Sequence, residues 1–222
     1  MTTNGIAAGR TSRLAALGTA NVSDALDKLG AAGAALGITP LDHDFRLVGR
    51  AFTVRYVPVG PRTANSGDWL DDVPAGEVPV IDNGGRTDCT VWGDIMTSVA
   101  AAKQLPGTVI DGVCRDSAKS VEIGYPLFTR GRFMRTAKDR VELAETGGVV
   151  NIGGVRVRPG DWVVGDADGL VIVAADLIDD VLRIGQEIVE REAMILRFAL
   201  DNMSLRAARE KYHYHTLQRP AE

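Results

Sequence analysis

Cysteine is scarce in this 222-residue chain. Cys89 and Cys114 stand in no metal-ligand spacing, so neither a disulfide framework nor a structural zinc site is indicated, and reduced thiols are expected. The three histidines, His43, His213 and His215, are too scattered for a zinc motif. Positive charge is also short: 25 Lys plus Arg face 29 Asp plus Glu, a net charge of -4, which removes the footprint that non-specific nucleic-acid binding requires. No apolar run approaches the roughly 20 residues of a membrane span, and residues 1–18 lack the sustained apolar stretch of a secretory signal. The expectation is a soluble, cytoplasmic protein with no nucleic-acid or membrane partner. No G-x-S-x-G elbow, P-loop or G-x-G-x-x-G fingerprint occurs, so serine acyl transfer, NTP hydrolysis and dinucleotide redox chemistry lack support.

What is present is the balance of a globular chain, 45% hydrophobic and 24% charged. Its 25 glycines separate short Val- and Ile-rich runs, which marks mixed α and β structure. Polar capping residues, helix formers and Gly30 predict a short helix over 19–30, with Val22, Ala25, Leu26 and Leu29 on one face. Alternation of Phe52, Val54 and Tyr56 with Thr53 and Arg55 predicts a strand over 47–57. A second strand over 77–82 carries Pro79 and is closed by the turn residues 83–86. From Asp94 the apolar spacing becomes helical until 105–107; a buried strand follows over 108–114, then a short helix over 117–123. Further short strands are expected at 125–129, 148–152, 155–157, 162–164 and 170–173, and a long helix over 176–200. Without repeats or linkers, residues 1–222 read as one domain, with a core over about 20–175 and a C-terminal helix and polar tail over 176–222.

Two places concentrate chemistry. Asp94 opens a predicted helix directly after Gly93, where the N–H groups of Ile95, Met96 and Thr97 would lack intrahelical partners and could receive a small carboxylate. The plainer reading is that Asp94 caps its own helix. Arg115 and Asp116 follow the predicted buried strand, a position where ligand sites of α/β folds collect. Arg115 can grip a carboxylate with its planar fork, and Asp116 can offer oxygen to a hard cation. Their structural alternative is an ion pair or a helix cap. Cys114, beside Arg115, reads as a buried strand cysteine.

Four blocks then carry a resemblance: residues 22–30, Trp92-Gly93-Asp94, residues 109–116 ending in Arg115-Asp116, and residues 159–169. Together they resemble the RraA-like family, which includes the class II 4-hydroxy-4-methyl-2-oxoglutarate/4-carboxy-4-hydroxy-2-oxoadipate aldolases. The diagnostic element is an Asp separated by twenty residues from Arg-Asp, as Asp94 is from Arg115-Asp116. The resemblance implies an α/β sandwich with a central β core and a long C-terminal helix, assembled as homotrimers or homohexamers. It implies a divalent metal, Mg2+ or Mn2+, bound directly by Asp116 and through water by Asp94. It implies that Arg115 and the backbone at Gly93, Ile95 and Met96 hold a 2-oxo acid, with Arg115 and Asp94 in catalytic roles. A Glu from a neighbouring subunit joins the metal's water shell in that family, and Glu190 and Glu192 both lie in a suitable stretch. The activity implied is cleavage of a 4-hydroxy-2-oxo acid to pyruvate and a carbonyl product, with oxaloacetate decarboxylation beside it. The alternative is the family's other role, a protein that binds ribonuclease E and inhibits it without chemistry. Residues 65–74 and 206–222 match nothing in the family pattern.

Overall fold

Gly18 divides the first helix of the computed structural model, which describes residues 3–60 and 67–214. Helix α1 (Thr3–Lys28) breaks where Gly18 takes φ 72° and ψ 171°, a conformation open to glycine and costly for side chains with a Cβ. The predicted helix over 19–30 is the second half of this element; the half before the break is an addition to the sequence reading. Asp166 caps the restart. Its Oδ2 accepts the Thr19 N–H at 2.8 Å and its Oδ1 accepts the Thr19 hydroxyl at 2.7 Å, satisfying a donor that a helix start leaves open.

After α1 come β1 (Thr39–Pro40), β2 (Leu47–Pro58), β3 (Glu77–Thr90), α2 (Asp94–Ala102), β4 (Thr108–Cys114), α3 (Ser117–Ile123) and β5 (Leu127–Arg132). Then follow β6 (Val141–Thr146), β7 (Val150–Ile152), β8 (Val155–Val157), β9 (Trp162–Asp166), β10 (Gly169–Val173), α4 (Ile178–Asn202) and α5 (Leu205–Lys211). The main sheet runs β1-β5-β4-β3-β2-β9-β10, with β6 pairing the far half of β2, while β7 and β8 form a separate hairpin. Strands β2 to β5 are parallel and β9 and β10 antiparallel. The segment after α1 spans the two ends of this order: Ala35 donates to Leu170 on β10, and Thr39 then pairs Thr129 on β5. The sheet therefore curls around one interior cluster, to which Val80 and Val109 contribute from one half and Val163 and Ile172 from the other.

Alternation within strands assigns the outer faces. Ile81, Ile110 and Leu127 point out beneath α2 and α3, whereas Trp162, Val164, Val171 and Val173 point out beneath α1 and α4. Helix α4 turns a stripe of Val181, Leu182, Ile184 and Ile188 to that second face. Each such side chain contributes roughly 1.5–3 kcal/mol by leaving water. The result is an α/β fold with a central β core and a long C-terminal helix. Among the described residues no helix is long and apolar enough to cross a membrane.

Several boundaries differ from the sequence reading. Strand β3 does not end at 83–86: Gly84 and Gly85, at φ 64° and 68°, form a bulge inside it, and pairing with β4 resumes at Arg86. Pro79 lies opposite Phe52 in the ladder with β2 and just before pairing with β4 begins at Val80. Strand β5 begins at Leu127, after Gly124 in the left-handed conformation ends α3. Strand β6 and helix α5 were not foreseen. The segment expected as a polar tail forms α5 over Leu205–Lys211, started by Ser204, whose hydroxyl accepts the Ala207 N–H, and anchored by buried Ala208. Residues 215–222, His215 among them, lie outside the described residues.

Candidate active site

Strand β4 is buried at all seven positions, as its continuous apolar run requires when helices cover one face and the curled interior the other. It ends by delivering Arg115 and Asp116 to the surface, each about two-fifths exposed. Asp116 adopts φ 53° and ψ 32°, a left-handed conformation that aspartate tolerates better than most residues. The turn is tied to the entrance of α2, where the Arg115 N–H donates to the Trp92 carbonyl at 3.1 Å.

Gly93 sits between the two. Its backbone is extended, at φ -149° and ψ -168°, which any residue adopts, so its lack of a side chain serves space rather than conformation. A Cβ there would lie 2.9 Å from Asp116 Oδ2 and 3.3 Å from Arg115 Nε. Arg115 Nε and Asp116 Oδ2 are themselves 3.3 Å apart, and the Asp94 N–H reaches the same Oδ2 at 3.4 Å. Two of the three amides singled out at the start of α2 are engaged. Thr97 N–H donates to the Gly93 carbonyl at 3.0 Å, and Ile95 N–H donates to the Asp94 carboxylate at 2.9 Å. Asp94, the first residue of the helix, thus takes up one first-turn amide through Oδ1, while the N-cap position itself is Gly93.

Gly93, Asp94, Ile95, Met96 and Arg115 line one cleft of about 430 Å³. The rest of its wall escaped sequence reasoning. Gly67, Asp68, Leu70 and Asp71 border it from the stretch that matched no family pattern, and Thr136, Ala137 and Lys138 from the loop before β6. The first group is held by Lys103, whose Nζ donates to the carbonyls of Leu70 and Asp71 at 2.9 and 2.7 Å. The second is held by Arg140, which donates to the carbonyls of Thr136 and Lys138. Loops carry no periodic signal, so only the turn residues around them were visible in the sequence. Tyr56, also in the wall, is pushed up from its usual pKa by burial, against the opposing pull of the Trp69 N–H that donates to its hydroxyl at 2.9 Å. It stays a neutral phenol at neutral pH.

Glu190 and Glu192 do not line this cleft. Both sit on α4, which packs against α1; Glu190 accepts from Gln186 at 2.9 Å, and burial followed by the nearby Asp24 charge raises the Glu192 carboxyl. Among the described residues no group of three or more His, Cys, Asp or Glu is arranged to hold a metal ion. The donor set is two exposed carboxylates, Asp94 in the cleft wall and Asp116 beside the cleft against Arg115. That set suits magnesium or manganese, which take one or two carboxylates and keep waters, and not zinc, which needs three or four N and S ligands. The space left by the missing Cβ of Gly93 lies directly against Asp116 Oδ2. The residues present therefore fit a hard divalent cation.

Fold and cleft define an α/β protein with a charged cleft where its parallel strands end, the usual address of a ligand in such sheets. The chain belongs to the RraA-like family, described as Aldolase/RraA, whose match covers residues 19–172. It is 36% identical over 198 residues to protein DlpA of Legionella pneumophila, covering 88% of this chain but 32% of that protein, so it spans about a third of DlpA. It is 34% identical over 193 residues to a protein of Halalkalibacterium halodurans provisionally named 4-hydroxy-4-methyl-2-oxoglutarate aldolase, covering 86% of this chain and 89% of the relative. Among solved structures, an uncharacterized protein from Pseudomonas syringae pv. tomato superposes with a TM-score of 0.83 at 42% identity, over 91% of this chain and 98% of that one. Streptomyces coelicolor RraAS2, described as an unusual member of the RNase ES inhibitor RraA protein family, superposes with a TM-score of 0.75 at 27% identity, over 83% and 94% of the two chains.

Proposed function

We propose that the chain is a divalent-metal-dependent lyase that cleaves a 4-hydroxy-2-oxo acid to pyruvate and a carbonyl product, with oxaloacetate decarboxylation as a side activity. The observation that carries this reading is the Arg115 guanidinium in one cleft with Asp94 and the start of α2, with the Asp116 carboxylate beside that cleft, 3.3 Å from Arg115 Nε. Asp116, and Asp94 through water, would hold magnesium or manganese, which supplies the Lewis acidity that stabilises an enolate.

The chain's own groups do the rest. Arg115 binds the substrate carboxylate and places positive charge next to the oxyanion that develops as the C3–C4 bond breaks. The start of α2 at Gly93 and Met96 orients the 2-oxo acid with the partial positive charge of a helix start, while the Ile95 N–H is taken by the Asp94 carboxylate. Asp94, tied through Oδ1 to Ile95, keeps Oδ2 to accept the proton of the C4 hydroxyl. The same pyruvate enolate arises when oxaloacetate loses carbon dioxide, so one site serves both reactions. The functional unit of this proposal is a homotrimer or homohexamer in which Glu190 or Glu192 of a neighbouring copy approaches the cleft. Two buried, unpaired thiols suit a reducing cytoplasm.

A coupled assay of pyruvate release over a panel of 4-hydroxy-2-oxo acids and oxaloacetate, with and without added Mg2+ or Mn2+, tests the reading. Release that depends on the metal supports it, and full activity in stripped protein overturns it. The likeness to RraAS2 supports a second reading, a regulator that binds ribonuclease E. Capture of ribonuclease E that survives Arg115→Ala, by a chain that releases no pyruvate, would favour the regulator.

A further inference from the structure

We infer that the Trp92 indole N–H and the Thr97 hydroxyl act as one positioning unit that fixes the turn at Gly93 and Asp94, and so sets affinity for the substrate carboxylate. The inference rests on the function proposed above. Trp92 is 1% exposed, and its ring is held between Trp69 and Tyr125 at centroid distances of 6.3 and 6.4 Å. That packing fixes the indole nitrogen, which donates to Thr97 Oγ1 at 2.8 Å. With its acceptor side engaged, the Thr97 hydroxyl turns its own proton to the Gly93 carbonyl at 3.0 Å, where the Thr97 N–H also arrives. The same turn is fastened from β3, because Thr90 Oγ1 accepts the Trp92 N–H and donates to the Trp92 carbonyl at 3.1 and 2.8 Å.

The peptide plane converts this into function. In a trans peptide the carbonyl and the following N–H point in opposite directions. Holding the Gly93 carbonyl back into α2 therefore sends the Asp94 N–H outward, to the Asp116 carboxylate 3.4 Å away. If that plane rotates, a carbonyl oxygen turns toward the place proposed for an anion. A threonine bonded to the carbonyl four residues back is common in helices. Here a rigid buried indole stands behind it, and chained hydrogen bonds polarise one another.

Pyruvate binding in magnesium buffer, measured by isothermal titration, reads the effect, with KM and kcat beside it. Trp92→Phe keeps a ring and loses the N–H, and Thr97→Val keeps the shape and loses the hydroxyl. Each is expected to weaken pyruvate binding about tenfold, the scale of one hydrogen bond that bears on a charged group. KM should rise with it while kcat falls by less than about threefold. The double variant should lose no more than either single one, and Thr97→Ser should restore affinity. Single variants that bind as wild type does overturn the inference while leaving the proposed function intact, as do effects that multiply in the double variant. Should Trp92→Phe fail to fold, the comparison of Thr97→Val with Thr97→Ser decides alone. A wild-type chain that binds no pyruvate overturns the proposed function and this inference together.

Discussion

Asp116 Oδ2 lies 3.3 Å from Arg115 Nε and 3.4 Å from the Asp94 backbone nitrogen, so one carboxylate oxygen joins the end of β4 to the start of α2. Both elements rest on the same buried layer, in which Trp92, Tyr125, Ile110 and Leu127 pack together. The charged side chains of the site stand exposed above this layer.

Gly93→Ala separates function from stability. The three atoms nearest the added Cβ are side-chain atoms, Asp116 Oδ2 and Arg115 Nε and Cγ, and Gly93 is already extended. Both side chains are two-fifths exposed and can move aside at little cost, so thermal unfolding should shift by no more than a few degrees. Pyruvate release should fall about tenfold or more, because the displaced carboxylate is the proposed metal ligand. A melting curve beside the coupled assay checks both halves.

Arg115→Lys is not a conservative change. The guanidinium spends Nε on Asp116 and keeps its other donors, whereas an ammonium offers one nitrogen for both tasks. We expect kcat/KM to fall about 10²-fold, the scale of a lost donor at a developing oxyanion, with folding unchanged by circular dichroism.

Asp166→Asn tests the cap at the α1 break. Burial pushes the Asp166 carboxyl up, but the Thr19 N–H and hydroxyl and the Asp168 N–H outweigh it, leaving the pKa below the ordinary 3.8. A carboxyl lowered by folding adds stability above its unfolded value and gives it up as pH falls through the folded one. The variant should lose about 1 kcal/mol of stability at neutral pH, the scale of one hydrogen bond, and the gap to wild type should close as the pH drops below 3.8. Urea unfolding at several pH values measures it; a gap constant into strong acid contradicts the assignment.

Both thiols should be inert in the native protein. Burial pushes the Cys114 thiol up to about 11, with Arg132 pulling weakly the other way, and burial raises Cys89 as well. Ellman's reagent should label neither at neutral pH and both after denaturation. Rapid labelling of a native thiol would show that the β3–β4 layer opens.

The β4–α3 unit was legible to the residue because an unbroken apolar run followed by polar helix formers has one economical fold. The bulge of β3 was not: Gly84 and Gly85 look the same in sequence whether they end a strand or kink it, and only the resumed pairing at Arg86 distinguishes the two. Helix α5 was hidden because its burial reduces to Ala208 and contacts from Tyr212, which stacks edge-on against Phe198 at 6.0 Å. Of the cleft, Gly93 to Met96 and Arg115 were visible as element ends. The walls at Asp68 to Asp71 and Thr136 to Lys138 were not, since loops are placed by long-range bonds such as those of Lys103 and Arg140. Glu190 and Glu192 lie on α4 outside the cleft lining.

Exchange of pyruvate methyl protons for deuterium, followed by proton NMR, reports enolate formation without any cleavage step. The account predicts exchange by the wild-type chain with Mg2+ or Mn2+, abolished by chelation and by Asp116→Asn and restored in wild type when the metal returns. Exchange that continues unchanged in stripped protein, or in Asp116→Asn, would contradict it.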